Sequence, residues 1–157
     1  MMDTRLTDAD ISLDQITALN AEAWALRYTD IRRAIELVNG ASARFDRDSI
    51  TDPVILQAVA GLQLNLGRFH SQVGEYVIAI EMLQIALDLY KKLAGQRDVI
   101  LTHAEIGRVH LQLSNYVQAL EHTLIGFEQS GTEIDQELEA VLLYNLGALY
   151  IQREDYS

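Results

Sequence analysis

The chain has 157 residues, about half of them apolar, with a formal net charge of −11, one proline and no cysteine. That length suits one domain or one array of repeats, and the lack of cysteine excludes disulfides, thiolate metal sites and cysteine nucleophiles. So acidic a chain is repelled by phosphate backbones and anionic lipid, which argues against nucleic-acid and membrane partners.

The opening residues, Met1 to Asp8, show no basic-then-apolar signal pattern, and no apolar run is long enough to span a bilayer. A reducing, cytoplasmic setting is expected. Residues 1–12 read as a loose N-terminus. Apolar residues then recur at helical spacing through Ile16, Leu19, Ala23 and Leu26, with Ser12 or Asp14 as the cap. Asp30 caps the next helix, which carries Ile31, Ala34, Ile35 and Val38 on one side and is expected to run to about Phe45.

Residues 46–53 form the clearest loop. Asp46, Asp48 and Asp52 resemble the start of a calcium loop, but the required glycine and final glutamate are missing, so the loop reads as solvated. Asp52 before Pro53 is a helix start, with a capping carboxylate and a proline whose missing N–H costs nothing there. Helices follow over about 53–73 and 76–94, then over 97–113 and to about 129. Turns are expected at Gly74-Glu75, Ala94-Gly95 and Ser114-Asn115, and a break at Ser130-Gly131. Thr132 with Asp135 resembles a capping box, and a last helix runs to about Arg153. No strand pattern is present.

A period of forty residues runs through this pattern. Gly67, Gln72 and Tyr76 recur as Gly107, Gln112 and Tyr116, and again as Gly147, Gln152 and Tyr156. A fixed period of this size is the signature of stacked repeats. Leu66-Gly67, His70, Tyr76, Ala79, Leu83 and Ala86 fall at the offsets of the tetratricopeptide repeat, as do Ile106-Gly107, His110, Tyr116, Ala119, Thr123 and Gly126. The chain thus resembles that family, in a variety longer than the common repeat of about thirty-four residues. Gly67 with Ala79, and Gly107 with Ala119, are expected where two helices approach closely.

The resemblance implies an all-α, right-handed superhelix of about seven helices in hairpins, with units at about 13–46, 53–95, 97–130 and a truncated 132–157. It also implies a non-catalytic protein- or peptide-binding module. The long repeats, and the stretch Leu19 to Arg27, resemble the N-terminal regions of bacterial signalling proteins that carry a GGDEF-type diguanylate cyclase, a nucleotide cyclase or a histidine kinase. The chain therefore reads as the regulatory part of a larger protein. Leu142, Leu143, Leu146 and Tyr150 are expected to be partly bare, which suggests further repeats or a homodimer through the helix at about 133–153.

In the family, the first helix of each hairpin lines a groove. Carried onto this chain, the groove positions include Asn65, Arg68 and Gln72, then Arg108 and Gln112, then Tyr144, Asn145 and Gln152. The arginines suit a carboxylate, the glutamines a peptide backbone, and Tyr144 a side-chain anchor. A peptide with an acidic group is the implied ligand. The alternative is that the arginines pair with Glu105 or other acids of the chain itself. Leu101 and Glu105 stand where the carboxylate-clamp subclass has bases, which argues against that subclass. No catalytic residue, cofactor or metal site is expected. His103 and His110 lie two turns apart on one helix with no evident third ligand.

Overall fold

The computed structural model describes residues 12–131 and 134–154. Among them the chain is all-α, with seven helices and no strand. It divides into two compact units, Met1–Leu93 and Ala94–Ser157.

The first unit holds α1 (Leu13–Leu26), α2 (Ile31–Ser42), α3 (Pro53–Gln72) and α4 (Tyr76–Lys92). Asp30 and Asp52 cap as their positions predict. Asp30 accepts the Arg33 N–H, and Asp52 accepts those of Val54 and Ile55. These bonds satisfy donors that have no partner inside the helix. Ser12 occupies the N-cap place of α1 without a side-chain bond. α2 ends at Ser42, three residues before the expected boundary. The reason lies in the backbone: the Arg44 and Phe45 N–H groups bond three residues back, to Ala41 and Ser42, which tightens and ends the helix. Gly40 stays inside α2.

α3 is the central element of this unit, packing on α1, α2 and α4. Leu62, Leu66 and Phe69 are fully buried, each contributing about 1.5–3 kcal/mol of burial. Gly67 is a point of close approach to α4. A Cβ there would lie 2.6 Å from Leu83 Cγ and 3.1 Å from the Ala79 carbonyl oxygen.

The second unit holds α5 (Gln96–Gln112), α6 (Tyr116–Ser130) and α7 (Gln136–Glu154), with α7 packed on both α5 and α6. The same close approach recurs forty residues on. A Cβ at Gly107 would meet Thr123 Oγ1 at 3.0 Å and the Ala119 carbonyl at 3.2 Å. Both expected glycine contacts are therefore present.

The hairpin turns match as well. Gly74 takes φ +82° and Ser114 takes φ +58°. The N–H of the next residue, Glu75 or Asn115, bonds back to the carbonyl of His70 or His110 at 2.9 Å. This is the left-handed helix ending that favours glycine. Asp135 precedes α7, and its carboxylate accepts the Leu138 N–H at 3.0 Å. Thr132, the other half of the expected capping box, lies outside the described residues.

Candidate functional site

The residues singled out for a groove are, for the most part, engaged within their own unit. In the first unit, Asn65 donates to Asn20 Oδ1 at 2.8 Å and Gln72 donates to the Arg27 carbonyl at 2.9 Å. The Arg68 guanidinium lies 5.7 Å from the centre of the Trp24 ring. All three therefore bind α3 to the residues of α1 and its end. Trp24 itself is 38% exposed, with the Arg27 guanidinium 4.3 Å from the centre of its ring.

In the second unit, both Nε and a terminal nitrogen of Arg108 reach Glu105 Oε2, at 2.9 and 2.8 Å. The intramolecular pairing weighed from the sequence is thus present. Gln152 accepts from the Tyr116 hydroxyl at 3.0 Å. Asn145 is fully buried and its amide nitrogen donates to the Ala104 carbonyl at 2.9 Å, which holds α7 to α5, while its Oδ1 is buried without a partner. A groove role for Asn145 is corrected on that ground: a side chain without solvent exposure cannot meet a ligand on the surface. Gln112 and Tyr144 are exposed.

His70 is buried and lies 2.6 Å from Glu75 Oε2, whose other oxygen accepts from Arg32 at 2.7 Å. The bonds from Arg32 first, then His70, hold the Glu75 carboxyl below its usual range. His103 and His110 are indeed on one helix, and α6 places His122 beside both. Nδ1 of His103 and Nδ1 of His122 are 2.9 Å apart, and the His110 ring stacks on His122 at 5.8 Å. Burial pushes the His110 pKa down, opposed in part by the Glu121 charge. Among the described residues no group of three or more His, Asp or Glu side chains is placed to hold a metal ion.

The second unit also carries an apolar groove. Between α6 and α7 lies a groove of about 500 Å³ lined by Tyr116, Val117, Leu120 and Leu124 on one side and Leu146, Leu149 and Tyr150 on the other. Beside it, α7 presents Leu143 and Ile151, 52% and 64% exposed, and Gly147, whose added Cβ would meet no described atom within 4 Å. Leu142, expected to be partly bare, is instead fully buried against Gly126 of α6.

The period makes this surface informative. Places 63, 66, 67 and 70 of α3 are all buried, and α4 supplies the cover at Gly67. Places 103, 106 and 107 of α5 are buried too, with α6 over Gly107. The corresponding places of α7, Leu143, Leu146, Gly147 and Tyr150, have no such cover among the described residues. Three of them are exposed, and two of the three are large and apolar.

The α6 side of this groove escaped the sequence reading. Its signal was present: apolar residues at 117, 120 and 124 lie on one stripe, separate from the Ala119, Thr123 and Gly126 stripe that packs inward. No helix of the described residues is long and apolar enough to cross a membrane. No protein-family model matches the chain, and no curated protein matches its sequence.

Proposed function

We propose that this chain is a non-catalytic protein-binding module built from tetratricopeptide-like hairpins, and that it docks a helical segment in the apolar groove between α6 and α7. One observation carries the reading. The face that α3 and α5 bury against the second helix of their hairpins is bare on α7, with Leu143 and Tyr150 in solvent and Gly147 open. Contiguous exposed apolar surface of this kind marks interaction sites, and an open glycine beside the groove admits close approach of a backbone.

The resemblance of the repeats and of the stretch Leu19 to Arg27 to bacterial signalling regions supports a regulatory role within a larger cytoplasmic protein such as a diguanylate cyclase. A polar groove for an acidic peptide is the less favoured reading, since Asn65, Gln72, Arg108 and Gln152 already have partners inside the fold. A homodimer through α7 is the second reading that the bare face supports.

A displayed library of helical peptides tests the proposal. Sequences should be enriched on the wild-type chain and lost on a Leu143→Lys, Tyr150→Lys double variant that keeps its helical circular dichroism. Equal enrichment on both proteins would overturn the reading.

A further inference from the structure

The charge around the α6–α7 groove says what kind of helix fits it. Glu121 and Glu128 stand on the same stripe of α6 as Val117 and Leu124, at spacings of four and seven residues, and both are exposed. On α7, exposed Glu139 stands one turn before Leu143 on the stripe that continues to Leu146 and Tyr150. α6 contains no lysine or arginine. The apolar floor therefore has two carboxylates along its α6 wall and one at the start of its α7 wall.

The two equivalent interfaces show the shape of the occupant. Gly67 is met by Leu83 and the Ala79 carbonyl, and Gly107 by Thr123 and the Ala119 carbonyl. In both, the helix that crosses the glycine brings its backbone close by placing an alanine there, fully buried in each case. A bulkier residue would hold the helices apart.

Resting on the docking reading above, we infer that the groove takes a basic amphipathic helix, with an alanine-sized residue against Gly147 and lysines or arginines along its polar edges. A second copy of this chain is the poorer occupant. Each copy carries a net charge of −11, and α7 packed on its own counterpart would bring like-charged edges together.

The probe is a synthetic peptide with the sequence of α4, Tyr76–Lys92, in which Glu81 and Asp88 are both replaced by lysine. It keeps the Ala79, Leu83 and Ala86 stripe and gains basic edges. Titrated into the full chain, it should bind at least tenfold more tightly than the unmodified α4 peptide, and the difference should shrink as salt is raised from 50 to 300 mM. Gly147→Leu should weaken it at least tenfold. That variant has open space around it and gains helix propensity, so circular dichroism should show it folded. An Ala79→Leu change in the peptide should cost a similar factor.

Equal affinity for the basic and unmodified peptides, or full affinity in Gly147→Leu, would overturn the inference. So would a dimer in sedimentation equilibrium that Gly147→Leu abolishes, since the occupant would then be a second copy. Failure of the peptide series alongside library enrichment that the α7 double variant abolishes would reject the basic helix and leave the docking groove standing. Failure of both would remove the groove itself.

Discussion

Leu83 of α4 fills the space that a side chain at Gly67 of α3 would need: the added Cβ would sit 2.6 Å from Leu83 Cγ and 2.8 Å from its Cδ2. Leu83 is fully buried, so it has no free direction in which to yield. Overpacking of this kind costs about 1–3 kcal/mol, more than the roughly 1 kcal/mol that alanine gains over glycine in a helix. Gly67→Ala should therefore lower stability. Gly147→Ala meets no described atom and should raise it by up to about 1 kcal/mol. Urea unfolding of the two variants checks the opposite signs, and two changes of the same sign would contradict the assignment of Gly147 to an uncovered face.

Ser114 adopts the left-handed turn conformation that Gly74 adopts at the equivalent place. A residue with a Cβ is disfavoured there by about 1–2 kcal/mol relative to glycine. Ser114→Gly should stabilise the chain by about 1 kcal/mol, less the added freedom of glycine in the unfolded state, and Gly74→Ala should destabilise it. Thermal melts of both variants give the comparison.

Asn145 and Arg108 stand at sites once expected to share a groove, and their substitutions should separate. Asn145→Ala removes a buried donor to the Ala104 carbonyl and leaves a void between α7 and α5. It should lower stability by about 1–3 kcal/mol. Arg108→Ala leaves the buried Glu105 carboxylate with one partner fewer, so its loss should be larger than that of Asn145→Ala. Chemical denaturation orders them.

Asp135 and Arg97 make a second contrast. The Leu138 N–H bond comes first, and Arg97 next, in holding the Asp135 carboxyl below its usual range. Asp135→Ala removes the α7 cap and should lower the stability. Arg97→Ala removes pairs to Asp135 and Glu137, at 2.6 and 2.9 Å, and a longer one to Asp98 at 4.0 Å, from a half-exposed side chain, and should cost less, with an effect that fades at high salt.

Two groups set opposite ends of the pH profile. His110 has a pKa depressed below its ordinary 6.5, so the unfolded chain binds the proton first as pH falls. Stability should decline from about pH 6.5 downward until the folded chain is protonated too. His110→Gln should flatten that slope. Glu75, also depressed, contributes stability that is present above its unfolded pKa near 4.5 and lost as pH falls through the folded value. Glu75→Gln should reduce the change in that lower window without abolishing it, since Asp135 contributes there too, and should leave the slope near pH 6.5 in place. Melting temperatures across pH 3–8 would show whether each slope belongs to its residue.

Helical class, the capping of α2 and α3 by Asp30 and Asp52, and the close approaches at Gly67 and Gly107 were all legible in the residues themselves. Each depends on short-range physics: a cap needs an oxygen two or three residues from a free N–H, and a stripe needs a period near 3.6. The end of α2 was misplaced because apolar periodicity continues past the point where the backbone bonds tighten. The fate of the polar row was decided only in three dimensions. Periodicity puts Asn65, Gln72 and Asn145 on a face, but whether that face meets water or a neighbouring carbonyl depends on what the next helix offers. Asn20, the end of α1 and Ala104 lie forty or more residues away in the chain, and they took up those amides. The same reasoning runs in reverse for α7, where no described helix crosses Gly147 and an interior pattern of residues became a surface.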